Sequence, residues 1–458
     1  MLSVFASSEE SLAIPIWAVS RVGLDDWLAA QPAAVSTWAR ANEFKGQAGR
    51  VLNIPSPEGV VAAVAFGLGD GDEALIWRAL PDSLATGAYR IASHLDAENA
   101  NRAALGWALG SYRYRRYTKP AKDAPPRLVM PEGVDADDIS RIAEGIFLAR
   151  DLINTPSNDM GPQELTDAAQ ALAVKFGASL SALIGDELLV HNYPLMHAVG
   201  RASPRAPRLI DLRWGDVNAP KVTLVGKGVV FDSGGLDLKP SASMLLMKKD
   251  MGGAANVLGL AYMIMDAGLR VRLRVLIPTA ENSVSGDSFR PGDILTSRRG
   301  LTVEIGNTDA EGRLLLADAL TEADTEQPEL LIDMATLTGA ARTALGPEIP
   351  PFFTADDGLA DRLKNYSETQ ADPMWRMPLW KPYDKDLDSK IADVNNVTSG
   401  SMAGAITAAL FLQRFVTSTK NWAHFDIYAW NAKSSAGQPV GGEAQAIRAI
   451  YALLRDHY

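Results

Sequence analysis

A chain of 458 residues is too long for one ordinary hydrophobic core, so two domains are expected. With 47% apolar and 22% charged residues, the composition is globular and excludes a disordered or fibrous chain. A net charge of −11 argues against nucleic acid as a partner, and the absence of cysteine excludes disulfides, thiolate metal sites and cysteine nucleophiles.

At the N-terminus, Glu9 and Glu10 precede the first basic residue, Arg21, so no secretory leader is read there. Val60–Leu68 is predicted as a buried strand, and Asp72–Leu80 and Ser83–Leu95 as helices. Lys119–Asp135 carries Pro120, Pro125, Pro126 and Pro131 among charges and reads as a linker. The domains expected are therefore 1–133, a smaller α/β unit, and 134–458. Asp135–Asn154 spaces Ile139, Ile142, Ile146 and Leu152 as a helix does, and Thr155-Pro156-Ser157 ends it.

Beyond that point strands and helices alternate. Lys221–Val225, Arg270–Pro278, Leu301–Ile305, Leu330–Leu337 and Ala423–Ala429 are predicted strands. Gly252–Ala267, Leu314–Ala323 and Ile406–Val416 are predicted helices. Such alternation predicts a mostly parallel sheet flanked by helices, with ligands gathered where strands end. The longest uncharged apolar run, Met251 to Met265, is too short to cross a bilayer. A cytoplasmic chain without a membrane partner is expected.

The five histidines, His94, His191, His197, His424 and His457, form no His-x-x-x-His pair, which argues against histidine-ligated zinc. Phe231 breaks the dinucleotide fingerprint that Gly226-Lys227-Gly228 begins, so a dehydrogenase is set aside. Three polar clusters remain. Lys227 and Asp232 lie in the apolar and glycine run 226–235, which an exposed loop with one ion pair would also explain. Asp250 precedes a glycine-started helix, where a helix cap is the simpler reading. In Asn307-Thr308-Asp309-Ala310-Glu311-Gly312-Arg313, two acids two residues apart can project to one side. Capping explains only one of them. Asp318, one turn further on, is expected on the solvated face of its helix. Four carboxylates gathered at strand ends repel one another unless cations sit between them, which points to a two-metal hydrolytic centre.

These residues resemble the leucyl (cytosol) aminopeptidase family of dizinc metallopeptidases. The resemblance rests on the Asn307–Arg313 signature and on Lys227, Asp232, Lys239 and Asp250 at the family's spacing. Asp333–Ala340, Asn154–Asn158 and Gly404–Leu412 extend it, so that it covers about 150 to 430. It implies that Asp232 and Glu311 bridge two divalent ions, with Lys227 and Asp250 completing the tighter site and Asp309 the more exchangeable one. It implies that Lys239 stabilises the oxyanion and that Arg313 holds a bicarbonate acting as general base. Met247, Thr336 and Gly339 would line the pocket for the first side chain, and the Leu337 carbonyl would orient the amine. The substrates implied are peptides with a free N-terminus, the assembly a homohexamer. The ions would be zinc or manganese, with magnesium and cobalt also suited to such ligands. Tyr428 and Trp430 are bulky where the family carries small residues, and Asn431–Gly442 departs from its pattern, so a pocket unlike the leucine-preferring one is expected. A two-metal phosphoesterase would use the same carboxylates with more basic residues. A non-catalytic binding protein would be signalled by a lost ligand, and all seven key residues are present.

Overall fold

The computed structural model describes all residues except 1, 8, 9, 11, 72, 120–123, 436 and 437. Glu9, Asp72 and Pro120, which entered the sequence reading, thus lie outside the described residues. The chain divides into two compact units, residues 1–144 with 433–440 and residues 145–432 with 441–458.

The first unit is built on a six-stranded sheet. Its strands are β1 (Phe5–Ala6), β2 (Ile14–Ser20), β3 (Val51–Pro55), β4 (Val61–Gly69), β5 (Ala88–Ile91) and β6 (Arg127–Val129), in the order β1-β6-β5-β2-β4-β3. Only β3 and β4 pair antiparallel. Strand β4 is the predicted Val60–Leu68 strand, and its Val64, Ala65 and Phe66 are fully buried.

Three expectations for this unit are corrected. Ser83–Leu95 is not a helix: Ala88–Ile91 forms β5, held between β2 and β6. Two neighbours that satisfy its backbone outweigh a local periodicity. The Asp72–Leu80 helix is reduced to a 3-10 turn, Ile76–Ala79, followed by the short helix Leu80–Ser83. The proline-rich segment is not a linker throughout, because Arg127–Val129 is β6 and Leu128 is fully buried. Pro125 and Pro126 lie before the paired residues, where a missing N–H costs the ladder nothing.

The second unit carries a nine-stranded sheet. Its strands are β7 (Ser179–Ile184), β8 (Arg208–Trp214), β9 (Lys221–Gly226), β10 (Gly228–Asp232), β11 (Arg272–Asn282), β12 (Leu330–Ala335), β13 (Pro351–Phe353), β14 (Trp375–Arg376) and β15 (Trp422–Asp426). The order is β14-β13-β15-β12-β9-β11-β8-β7, with β10 beside β11. The centre is parallel, β15 to β12 to β9 to β11 and on to β10. Strands β7, β8 and β13 run antiparallel to their inner neighbours.

Helix α1 (Ala136–Asn154) runs across the boundary in sequence. Helices α2 (Gly252–Ala267), α3 (Gly312–Thr325), α4 (Gly404–Gln413) and α5 (Ile447–His457) follow. Helix α2 packs against β9, β12 and α5, while α3 packs against β9, β11 and α4. Residues 252–265 of α2 are all buried, which explains why it is apolar on every side. Gly268 in the left-handed region (φ 65°) stops it. A side chain at Gly253 would meet the Met334 carbonyl at 2.1 Å, so glycine there is what lets α2 start against the end of β12.

Asp318 also departs from expectation. It is fully buried, not solvated. Its Oδ2 accepts the amides of Leu195 and Met196 at 2.9 and 3.3 Å, and its Oδ1 accepts that of Arg298 at 2.7 Å. The side chain leaves α3 to cap another helix, Pro194–Gly200, and burial drives its pKa up to about 7. Asp318→Ala is expected to strand these buried amides and destabilise the second unit by roughly 2–3 kcal/mol, read from urea unfolding of metal-free protein.

Candidate metal centre

The parallel strands β9, β10, β11, β12 and β15 end on one edge of the sheet, and the site residues stand there. Lys227 follows β9, Asp232 closes β10, Thr336 follows β12, and Asp426 closes β15. Asp250 lies in the 3-10 turn Met247–Met251 that leads into α2, and Asp309 and Glu311 precede α3. Gly312 matters here: a Cβ would stand 2.5 Å from Lys227 Cε, so glycine lets the lysine lie across the start of α3.

The two simpler readings of these clusters fail. Lys227 and Asp232 are buried, not in an exposed loop. The capping position of α2 is Met251, and Asp250 instead faces Lys227 and the Thr336 hydroxyl, which donates to it at 2.8 Å. Lys227 Nζ lies 2.8 Å from Asp250 Oδ2 and 3.0 Å from Glu311 Oε1, and donates to the Thr336 carbonyl at 3.0 Å. Lys239 Nζ lies 2.8 Å from Asp232 Oδ2 and 2.5 Å from Asp309 Oδ1. Asp232, Asp309 and Glu311 each present an oxygen, and these lie within 4.8 Å of one another. The convergence expected of Asp309 and Glu311 is what the fold produces.

So many buried carboxylates are electrostatically expensive. Burial first, then the charges of Asp232 and Asp250, push Glu311 up to about 8. Burial and Asp232 push Asp309 up to about 6, and burial raises Asp250 as well. Burial alone would lower Lys227, but Asp250, Glu311 and Asp232 outweigh it and raise its pKa. Glu311 Oε2 is buried with no hydrogen-bond partner among the described residues. An orphaned buried carboxylate oxygen beside two other acids and a buried amine suits a divalent cation, and with Asp250 the donors number four acid groups and one amine, a set suited to two.

Sequence reasoning missed the residues that aim these acids and their loops. Asn282, the last residue of β11, donates to Asp232 Oδ1 at 2.8 Å and to the Thr308 carbonyl at 3.1 Å. Asn396 accepts the amides of Gly306 and Asn307 and donates to the Asn307 carbonyl, fixing the signature loop. Asp426 accepts the amides of Leu337 and Thr338 at 2.9 and 3.1 Å and the Thr338 hydroxyl at 2.6 Å. A polar side chain at the end of an apolar strand was the available signal for Asn282 and Asp426.

The residues open into a cleft of about 620 Å³. Lys227, Asp232, Lys239, Met247, Asp250, Asp309, Arg313, Thr336, Leu337 and Gly339 line it, with Glu311 behind them. Arg313 is buried. It donates to the Asn396 carbonyl at 2.5 Å, while its Nε has no partner among the described residues, and burial lowers its pKa to about 10. Tyr428 lines the cleft, whereas Trp430 is buried away from the lining with Lys248 over its ring at 5.5 Å. Only the first of the two bulky departures therefore shapes the cleft.

Comparison with known proteins follows the same division. Residues 147–451 match the model of the cytosol aminopeptidase family catalytic domain, and 14–131 match the M17 aminopeptidase N-terminal domain. A probable cytosol aminopeptidase of Syntrophotalea carbinolica is 45% identical over 370 residues, 77% of this chain and 74% of that protein. One from Rhodococcus jostii is 37% identical, covering 90% of this chain and 86% of the relative. The crystal structure of cytosol aminopeptidase from Coxiella burnetii superposes with a TM-score of 0.96 at 47% identity over the whole of both chains. The bottromycin maturation enzyme BotP in complex with Mn gives 0.87 at 34% identity, over 98% of this chain and 100% of that one.

The raised pKa values carry a sign that can be tested. Before a cation binds at pH 7, Lys227 is protonated and Glu311, near 8, largely so. Loading Mn²⁺ or Zn²⁺ must displace those protons, so affinity should rise with pH from 6 to 9. Calorimetric titration in buffers of different ionisation enthalpy should report net proton release. Loading without release would overturn the assignment of this cluster as the ligand set.

Proposed function

This chain belongs to the cytosol aminopeptidase family, and on that premise we propose that it removes N-terminal residues from peptides with two divalent ions at this cluster. Family membership makes it a peptide hydrolase and a metal-dependent aminopeptidase. The proposal concerns how its own residues do this. The observation that carries it is the convergence of Asp232, Asp309 and Glu311 oxygens within 4.8 Å beside buried Lys227.

Asp232, Glu311, Lys227, Asp250 and Asp309 would hold the two ions, with Asp232 and Glu311 serving both, Lys227 and Asp250 completing the tighter site and Asp309 the other. Bound there, the ions supply Lewis acidity toward the scissile carbonyl and a water of lowered pKa. Lys227 must be neutral to serve as a ligand. The surrounding carboxylates hold its proton on, and that proton would have to leave for Lys227 to serve as a ligand. Zinc and manganese both suit this donor set, and the manganese in the BotP neighbour favours testing that ion first.

Lys239 is tied to Asp232 and Asp309. With divalent ions held by those carboxylates, its ammonium would stabilise the developing oxyanion. Arg313 offers a buried guanidinium with an unpartnered Nε, which suits a small planar anion such as bicarbonate. That anion would supply the general base, a role that no histidine lining the cleft takes among the described residues. The peptide amine seats beside Asp250, and the Leu337 carbonyl orients it. Asp426 steadies the peptide unit that carries the Leu337 carbonyl by accepting the Thr338 amide at 3.1 Å. Met247, Thr336 and Gly339 receive the first side chain. A homohexamer in the cytoplasm, acting on peptides with a free N-terminus, completes the reading carried over from the family.

Leucine p-nitroanilide and its N-acetyl form, assayed after chelation and again after adding Mn²⁺ or Zn²⁺, test this. Metal-dependent cleavage of the unblocked substrate alone is expected, and equal cleavage of both would overturn the amine-anchored site. Glu311→Gln should lose metal content and at least about a hundredfold in kcat, while Lys239→Ala should keep both ions and lose about a hundred- to a thousandfold. Elemental analysis beside the kinetics separates the two.

A further inference from the structure

Beside the carboxylate cluster and Arg313, the cleft holds two further cations with no acid at ion-pair distance among the described residues. Lys249 is only 4% exposed and Arg342 stands exposed at the rim, and both line the cleft. Lys249 Nζ lies 4.6 Å from the centroid of the Tyr428 ring and Arg342 Cζ 4.7 Å from it. Among the described residues, neither has a carboxylate at ion-pair distance. Two buried arginines elsewhere in this unit are paired with acids. Arg274 meets Asp211, Glu322 and Glu326, and Arg150 meets Glu443. Asp426, also in the cleft, has both oxygens taken by Leu337 and Thr338.

The place of these cations ties them to the first side chain of a substrate. Arg342 Nη2 lies 3.9 Å from where a Cβ of Gly339 would stand. A Cβ on Gly252 would meet both Ala429, next to Tyr428, and Thr336. Lys249, Arg342 and Tyr428 therefore wall the pocket that Met247, Thr336 and Gly339 begin.

We infer that this pocket selects an acidic first residue, with Lys249 and Arg342 receiving the side-chain carboxylate of an N-terminal glutamate or aspartate across the edge of Tyr428. The inference rests on the aminopeptidase reading above. A leucine side chain in the same place would bury Lys249 further without a partner, which is costly. A lysine would add a third like charge. A carboxylate pairs with both cations, and the arginine fork favours it geometrically.

The test uses the full Mn²⁺-loaded chain with α-linked glutamyl, aspartyl, leucyl and lysyl p-nitroanilides, none of which carries a free C-terminal carboxylate. An acidic substrate should exceed leucyl at least about tenfold in kcat/KM, the size of one well-placed charged contact. Arg342→Gln should shrink that ratio about tenfold and Arg342→Lys should restore much of it, with thermal unfolding confirming that each variant is folded. A leucyl substrate preferred by the wild type, or a ratio unmoved by Arg342→Gln and by Tyr428→Ala, overturns the inference and leaves the aminopeptidase reading standing. Preference for Leu-Leu over Leu-Leu-amide without any acidic preference assigns the cations to the peptide's C-terminus and also overturns it. Failure to cleave any of these substrates overturns the aminopeptidase reading and this inference with it.

Discussion

Four acids held in one buried place are a repulsive arrangement, and the second unit is organised around that constraint. Asp232, Asp250, Asp309 and Glu311 come from separate strand ends and turns, yet the sheet brings them to one edge. Two lysines partly neutralise them, Lys227 between Asp250 and Glu311 and Lys239 between Asp232 and Asp309. Two positive charges do not balance four acids, and burial first, with the unbalanced charge added to it, raises the pKa values of Glu311 and Asp309. Divalent cations relieve the same repulsion, so the feature that strains the protein without metal is the feature that gives it metal affinity.

Holding the acids in place requires a rigid frame. Neutral donors and amides do much of this: Asn282 on Asp232, Thr336 on Asp250, and Asn396 on the signature loop. They add no charge to a site already burdened with it and still fix each side chain's direction, which is what a ligand set needs to hold its ions. Glycine at 253 and 312 allows helices α2 and α3 to begin hard against β12 and Lys227. Together these contacts turn a sheet edge into a site whose geometry exists before any cation arrives.

Charge is handled differently a few residues away. Arg274 is enclosed by Asp211, Glu322 and Glu326, and its partners raise its pKa despite burial. Lys249 is buried beside the cleft with an aromatic ring in place of an acid, and burial lowers its pKa to about 8. The first arrangement is closed and structural. The second leaves electrostatic demand facing the cleft.

The linear sequence determined the elements whose signals are local. The alternation of strands and helices in the second unit, the glycine-started helix α2 and the paired acids of Asn307–Arg313 are all read from neighbours along the chain, and the family signature is a contiguous string. Other features depended on partners far away in sequence. Ala88–Ile91 became a strand because β2 and β6 stood ready to pair with it, and Arg127–Val129 left its proline-rich surroundings for the same sheet. Asp318 was drawn inward by amides 20 and about 120 residues away. The meeting of Lys249, Arg342 and Tyr428 joins three segments that carry no shared pattern. Periodicity and spacing record what a residue prefers among its neighbours in the chain. Which distant backbone, acid or cation finally satisfies it is decided only when the sheet closes and brings them within a few ångströms.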